Sequence, residues 1–282
     1  MCESMEQRRN IGPPSTERMY GLHEVLIAVG DDPRKARGTE GAERTVVPPH
    51  AGAPFVGRER ELGELLEDLD EASLGRGRLI LLGGEPGIGK SRLADELAAR
   101  SRERGCQVLW GRGWEDAGAP PYWPWVQALR TYLRTTAPDV IRRHVGAGAS
   151  DVAQLLPELK EIFPDLSTPA DAASESARFQ LFDSTATLLR NVGRDAPLVV
   201  ILDDLHAVDT ASILLLRFLA SQISDSAILV VGTYRDIELT PDHPLTAAIS
   251  EMARERATRL ITLGGLPADA VGKERVAILP NL

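Results

Sequence analysis

The chain carries only two cysteines in 282 residues, Cys2 and Cys106. They offer no paired metal-ligand spacing, and two thiols so far apart read as ordinary side chains, not as a disulfide framework. Long apolar runs are missing as well. Uninterrupted stretches such as 198–202 and 227–231 are strand-sized, far below the roughly 20 residues that span a bilayer. A secretory leader is also not recognisable: Arg8 and Arg9 precede "YGLHEVLIAVG", but His23 and Glu24 interrupt that stretch and no convincing cleavage site follows. A cytoplasmic protein without a membrane partner is therefore expected. Positive charge is in deficit, with 32 Lys and Arg against 41 Asp and Glu and a net charge of -9. That balance argues against a broad nucleic-acid surface, so no nucleic-acid partner is expected of this chain.

What is present is an alternation of apolar runs and helical patterns. Residues 1–53 mix charges with Gly and Pro, show no sustained period, and read as a disordered tail. From Glu59 onward, Leu62, Leu65, Leu66 and Leu69 fall at three- and four-residue steps and make one apolar helix face. "GRLILLGG" then reads as a buried strand, Leu93, Leu97 and Ala98 mark another helix, and "QVLWG" is a second short strand. Residues 114–195 read as a helical insertion, built on "WVQALRTYLR", "VAQLLPELKEIF" and "SARFQLFDSTATLLRNV". Three more strand candidates follow, "LVVILDD", "AILVVGTYR" and "TRLITL", separated by the helical patterns "ASILLLRFLASQI" and "PLTAAISEMARER". Fully apolar strands alternating with helices predict an α/β fold with a parallel five-stranded sheet flanked by helices. No internal repeat of 20 to 50 residues is visible. The core is expected over 54–265.

Between the first strand and the next helix, Gly84, Glu85, Pro86, Gly87, Ile88, Gly89, Lys90 and Ser91, continued by Arg92, match the P-loop or Walker A pattern G-x-x-x-x-G-K-[ST]. Glycines there let backbone N–H groups curl around a phosphate, and the helix N-terminus adds positive potential. Lys90 is expected to reach the β- and γ-phosphates, and Ser91 to ligate Mg²⁺. The plain alternative is a glycine-rich turn that holds nothing. In "LVVILDD" the apolar run ends on Asp203, a Walker B carboxylate for the Mg²⁺ shell, and Asp204 follows as the group that orients or deprotonates an attacking water. Either carboxylate could instead cap the next helix. Thr233 and Arg235 end the neighbouring strand, where Arg235 could sense the γ-phosphate or form an ordinary ion pair with Asp236 or Glu238.

Together "PFVGREREL", "GGEPGIGKSRL", "GRGWEDAGAPPYWPWVQALR", "LVVILDDLHAVD" and "VVGTYRD" resemble, in order and spacing, the ATPase module of STAND-type P-loop proteins. These are AAA-like ATPases similar to the Orc1-like domain of large LuxR-type transcriptional regulators, and the resemblance covers about residues 54–270. It implies ATP with Mg²⁺ as the ligand, and an extra strand between the P-loop strand and the strand of Asp203. It also implies that Val56, Gly57, Arg58 and Glu59 lie near adenine and ribose; on composition alone they are a solvated helix start. For His206 and Asp209, an exposed histidine and a helix cap are at least as well supported as a catalytic part. Trp110, Trp114, Tyr122, Trp123 and Trp125 read as packing for the insertion, and Arg100, Arg102 and Arg104 as a solvated helix end.

The resemblance breaks at 266–282, which reads as the start of a truncated lid or tail, so the family's DNA-reading domain is not carried over. The pair Asp203-Asp204 also replaces the Asp-Glu of many AAA-like ATPases, which points to slow turnover. The expected function is an ATP-binding, slowly hydrolysing switch module whose partner is a regulatory domain or a second copy of the chain. The rival is a non-hydrolysing ATP-binding scaffold. A small-molecule kinase would need an acceptor pocket and an arginine-bearing lid, for which the residues after Gly232 give no pattern.

Overall fold

A computed structural model describes residues 55–115, 118–167 and 174–266. The expected tail 1–53, Cys2, and all but the first residue of 266–282 lie outside the described residues. Five strands and nine α-helices are found among them, in the order α1 (Glu59–Ser73), β1 (Arg78–Gly83), α2 (Lys90–Glu103), β2 (Gln107–Arg112), α3 (Trp123–Thr135), α4 (Pro138–Val145), α5 (Ala149–Val152), α6 (Glu158–Ile162), α7 (Glu175–Asp195), β3 (Leu198–Asp203), α8 (Thr210–Ala220), β4 (Ile228–Thr233), α9 (Pro244–Met252) and β5 (Thr258–Thr262).

The strands form one sheet in the order β2-β3-β4-β1-β5, and every neighbouring pair is parallel. Strand periodicity divides the side chains between two cores. Leu79, Leu81, Val200, Val230 and their neighbours face α3 through α9, whereas Ile80, Leu82, Val199, Ile201, Leu229 and Val231 face α1 and α2. Both faces of β1, β3 and β4 are covered, which is why these three strands are almost wholly apolar and do not alternate. β4 lies between β1 and β3, so the glycine loop and Asp203 open onto the same edge, one strand apart. In parallel α/β sheets the crevice beyond the strand carboxyl ends is where ligands bind.

Two local differences from the sequence reading have physical causes. The pattern "VAQLLPELKEIF" is not one helix: α5 ends at Val152 and α6 begins at Glu158. Pro157 lacks an N–H and its ring disfavours helical backbone before it, so the chain turns there and buries Leu155 and Leu156 in the turn. The aromatic cluster also divides. Trp125 is buried with its indole N–H donating to the Ser212 carbonyl at 3.1 Å, and Tyr122 and Trp123 pack on the same core. Trp110 packs against the other core, and Trp114 stays exposed. Arg100, Arg102 and Arg104 lie in solvent at the end of α2.

Candidate functional site

The loop from β1 to α2 turns on three glycines. Gly84, Gly87 and Gly89 have φ of +148°, +75° and +103°, values that a Cβ disfavours. At Gly84 a Cβ would also lie 2.9 Å from the Leu263 carbonyl oxygen. Glu85, Pro86 and Gly87 are exposed, Ile88 is half-buried, and Lys90, the first residue of α2, is buried. Its ammonium folds back under the loop and donates to the carbonyls of Gly84 at 2.7 Å and Glu85 at 2.8 Å. Burial lowers the Lys90 pKa; Asp236, Asp204 and Asp203 oppose that shift, while Arg235 adds to it.

Asp203 closes β3 with no solvent exposure. Its Oδ1 accepts from the Ser91 hydroxyl at 2.9 Å and from the Thr233 hydroxyl at 2.6 Å. Its Oδ2 accepts from Arg112, at 3.0 Å from Nε and 2.5 Å from Nη2. Ser91 and Asp203, 112 residues apart in sequence, thus present a hydroxyl and a carboxylate to one point. Hard oxygen donors of this kind suit Mg²⁺. Thr233, at the end of the neighbouring strand, bonds Asp203 and accepts the Asp204 N–H at 3.0 Å.

Asp204 has a left-handed backbone, φ +60°, and its carboxylate makes no capping bond to the short 3-10 turn that follows. Asp209 caps α8 instead, accepting from the N–H of Ser212 at 2.9 Å and its hydroxyl at 2.6 Å. The Asp204 carboxylate lies 3.4 Å from Arg112 Nε and 4.0 Å from His206 Nε2. Burial and then the neighbouring Asp203 raise its pKa.

Arg235 is held by Glu115 and Glu238, each at 2.8 Å. The Glu238 pair was one of the expected alternatives; Glu115 was not anticipated. His206 requires a correction. Its ring is buried, not exposed, and neither ring nitrogen has a hydrogen-bond partner among the described residues. Nε2 faces Glu238 at 3.5 Å, Glu115 at 3.8 Å and Asp204 at 4.0 Å. Burial lowers its pKa.

Arg58 corrects the solvated reading of its segment. It is buried, and its guanidinium donates to Glu61 at 2.8 Å, to the Ile88 carbonyl in the glycine loop at 3.2 Å, and to the Gly264 carbonyl beyond β5. Gly57 enables that approach with φ +81°, and Val56 beside it is half-buried. The Arg92 guanidinium sits 5.5 Å from the centre of the Phe55 ring, which places α2 against the same segment.

Arg112 was missed in the sequence. The signal was its register: Arg112 is the strand partner of Asp203, which becomes visible only once β2 is known to lie beside β3.

A parallel five-stranded sheet whose first strand enters a glycine loop capped by Lys90 and Ser91 defines a P-loop NTPase fold. The chain belongs to the AAA ATPase domain family, which matches residues 54–231. The uncharacterized protein R02095 of Rhizobium meliloti (strain 1021) is 26% identical over 248 residues, covering 82% of this chain and 23% of that protein. The chain thus spans about a quarter of the length of that relative. Among solved structures, the Aeropyrum pernix Orc1 protein in complex with DNA is similar at 16% identity and TM-score 0.41, over 82% of this chain and 52% of that one. The STAND protein PH0952 of Pyrococcus horikoshii, with a tetratricopeptide repeat sensor, is similar at 18% identity and TM-score 0.40, over 78% of this chain and 24% of that one.

One expectation is overturned here. Orc1 was solved on DNA, so the exclusion of nucleic-acid partners is withdrawn. Net charge averages over a whole surface, whereas contacts to phosphates are made by a few local cations, and an acidic chain is not thereby debarred. For the membrane, no helix among the described residues is long and apolar enough to cross one.

Proposed function

We propose that this chain is the Mg²⁺-dependent ATP-binding module of a larger signalling or transcription-regulatory protein, and that it hydrolyses ATP slowly to reset a switch. The observation that carries the reading is the 2.9 Å contact of Ser91 with Asp203 beside the buried Lys90. Two oxygen donors and one ammonium converge at the mouth of a glycine loop, where triphosphate and metal are held together. Lys90 exchanges its two carbonyl partners for phosphate oxygens, and the loop N–H groups of residues 84–91 cradle the same group. Ser91 and Asp203 hold Mg²⁺, which when bound offsets the charge of the phosphates. Asp204 orients the attacking water, and its raised pKa suits it to accept a proton. Arg235 senses the terminal phosphate. The segment of Val56, Gly57 and Arg58 borders the base and ribose. The partner is a regulatory domain or a second copy of this chain.

A specific observation favours a second reading, an ATP-binding scaffold with negligible turnover. Asp204 lies against Arg112, and Arg235 is clamped by two glutamates, so both groups needed for hydrolysis are already engaged.

ATP binding and phosphate release by the wild type, Lys90→Ala and Asp204→Asn separate these readings. Lys90→Ala is expected to weaken ATP binding about 30-fold or more, since a charge-assisted contact is lost. Asp204→Asn is expected to keep binding and to lose release by about 10²-fold. Equal release from wild type and Asp204→Asn removes Asp204 from its role, and binding without release in the wild type selects the scaffold.

A further inference from the structure

Arg112 and Asp203 end adjacent strands in direct register, and the guanidinium takes up the whole of Oδ2 with two N–H donors. The other oxygen, Oδ1, is shared by two neutral hydroxyls. Arg112 is therefore the one cationic side chain in direct contact with this buried carboxylate among the described residues; Lys90 spends its bonds on backbone carbonyls. An unpaired carboxylate at zero exposure is strongly disfavoured, so a cation at Asp203 stabilises the folded site.

The two partners differ in what they are free to do. The Asp203 side chain is fully enclosed, whereas that of Arg112 is 48% exposed, so the arginine can withdraw into water and the aspartate cannot. A second carboxylate waits for it, since Nε already lies 3.4 Å from Asp204.

We infer that Arg112 is a tethered counter-cation of Asp203 that competes with a divalent cation for the charge of that carboxylate, and that Arg112 thereby sets the Mg²⁺ concentration at which the site takes up ATP. The inference rests on the ATP-binding reading above. Arginine stays protonated at every ordinary pH, so the competition depends on the concentration of the metal and hardly on pH. Mg²⁺ binds through one or two carboxylates and otherwise keeps its waters; Oδ2 is saturated by the two N–H donors of Arg112, and a metal at Oδ1 beside Ser91 is attracted to a carboxylate whose charge Arg112 already offsets. If Arg112 served only to hold β2 against β3, its loss would cost stability and leave the Mg²⁺ requirement where it was.

The test is ATP binding followed calorimetrically over a Mg²⁺ series, for the wild type, Arg112→Met and Arg112→Lys, with thermal unfolding of each in EDTA. Arg112→Met keeps the apolar stem and removes the charge. Its half-maximal Mg²⁺ concentration is expected to fall by about five- to tenfold, and its melting temperature in EDTA to drop because Asp203 is left without a cation. Arg112→Lys, with a single point of charge in place of a fork, is expected to lie between the two. It carries the test alone if Arg112→Met does not fold. A half-maximal Mg²⁺ concentration unchanged from wild type in a folded variant overturns the inference and leaves the ATP reading standing. No ATP binding by the wild type at any Mg²⁺ concentration overturns both.

Discussion

The hydroxyl of Thr233 joins the two acidic residues at the end of β3, donating to Asp203 Oδ1 at 2.6 Å while accepting the Asp204 N–H at 3.0 Å. One oxygen thus fixes the rotamer of the first carboxylate and the left-handed backbone of the second. Thr233→Val preserves the shape and removes both bonds, leaving a buried carboxylate short of a donor and a backbone N–H without an acceptor. The expected loss is about 2–3 kcal/mol in urea unfolding, and Thr233→Ser should recover most of it. A Thr233→Val protein as stable as wild type would mean that the hydroxyl does not organise this corner.

Gly111 is set by contact and not by conformation. A Cβ there would lie 1.9 Å from the backbone oxygen of Pro124, because the first turn of α3 rests directly on β2. Backbone cannot swing aside as a side chain does, so Gly111→Ala must lift α3 away from the sheet and disturb the seat of Trp125. A loss of about 2–4 kcal/mol is expected, read as a lower urea midpoint with the slope unchanged. A shift within experimental error would place the start of α3 farther from β2 than the structure does.

Arg58 ties three segments together through its bonds to Glu61, Ile88 and Gly264. Arg58→Met fills much of the same space but releases the Ile88 carbonyl, so the glycine loop loses a brace. ATP affinity is expected to fall about five- to tenfold, with Lys90 and Ser91 intact. Unchanged affinity would confine Arg58 to holding the segment after β5.

What could be read from the sequence was what is local. The glycine loop, Lys90 and Ser91 are contiguous, and Asp203 is marked by the apolar run that ends on it, so each announces itself within ten residues. The central strands β1, β3 and β4 were legible for the same reason: burial on both faces leaves a nearly unbroken apolar run. Arg112 and Glu115 were not legible as site residues, because their partners Asp203 and Arg235 belong to β3 and to the segment after β4, and nothing in their own stretch names those neighbours. Arg58 reaches a carbonyl 206 residues away. For His206 the sequence left an exposed side chain and a catalytic part side by side, and only the packing of the turn reveals that its ring is enclosed.

That enclosed ring makes a pH prediction with a definite sign. His206 is faced by Glu115, Asp204, Glu238 and Arg235, while His243 Nε2 lies 3.1 Å from its carbonyl oxygen. Burial outweighs the three carboxylates and holds the pKa below the ordinary value of 6.5. The unfolded chain therefore takes up a proton at a higher pH than the folded one does. Between the depressed folded value and 6.5 the unfolded state binds more protons, so stability rises with pH across that window. This contribution is complete above pH 6.5 and is lost as pH falls toward the folded value. Urea unfolding of wild type and His206→Gln at pH 7.5 and 5.5 checks it: the wild type should lose more stability on acidification than the variant. Both proteins retain the carboxylates, so the carboxylates' own titration is largely common to the two. The opposite ordering, with the wild type gaining on the variant as pH falls, would mean that Glu115, Glu238 and Asp204 hold the ring protonated and that burial is the weaker influence.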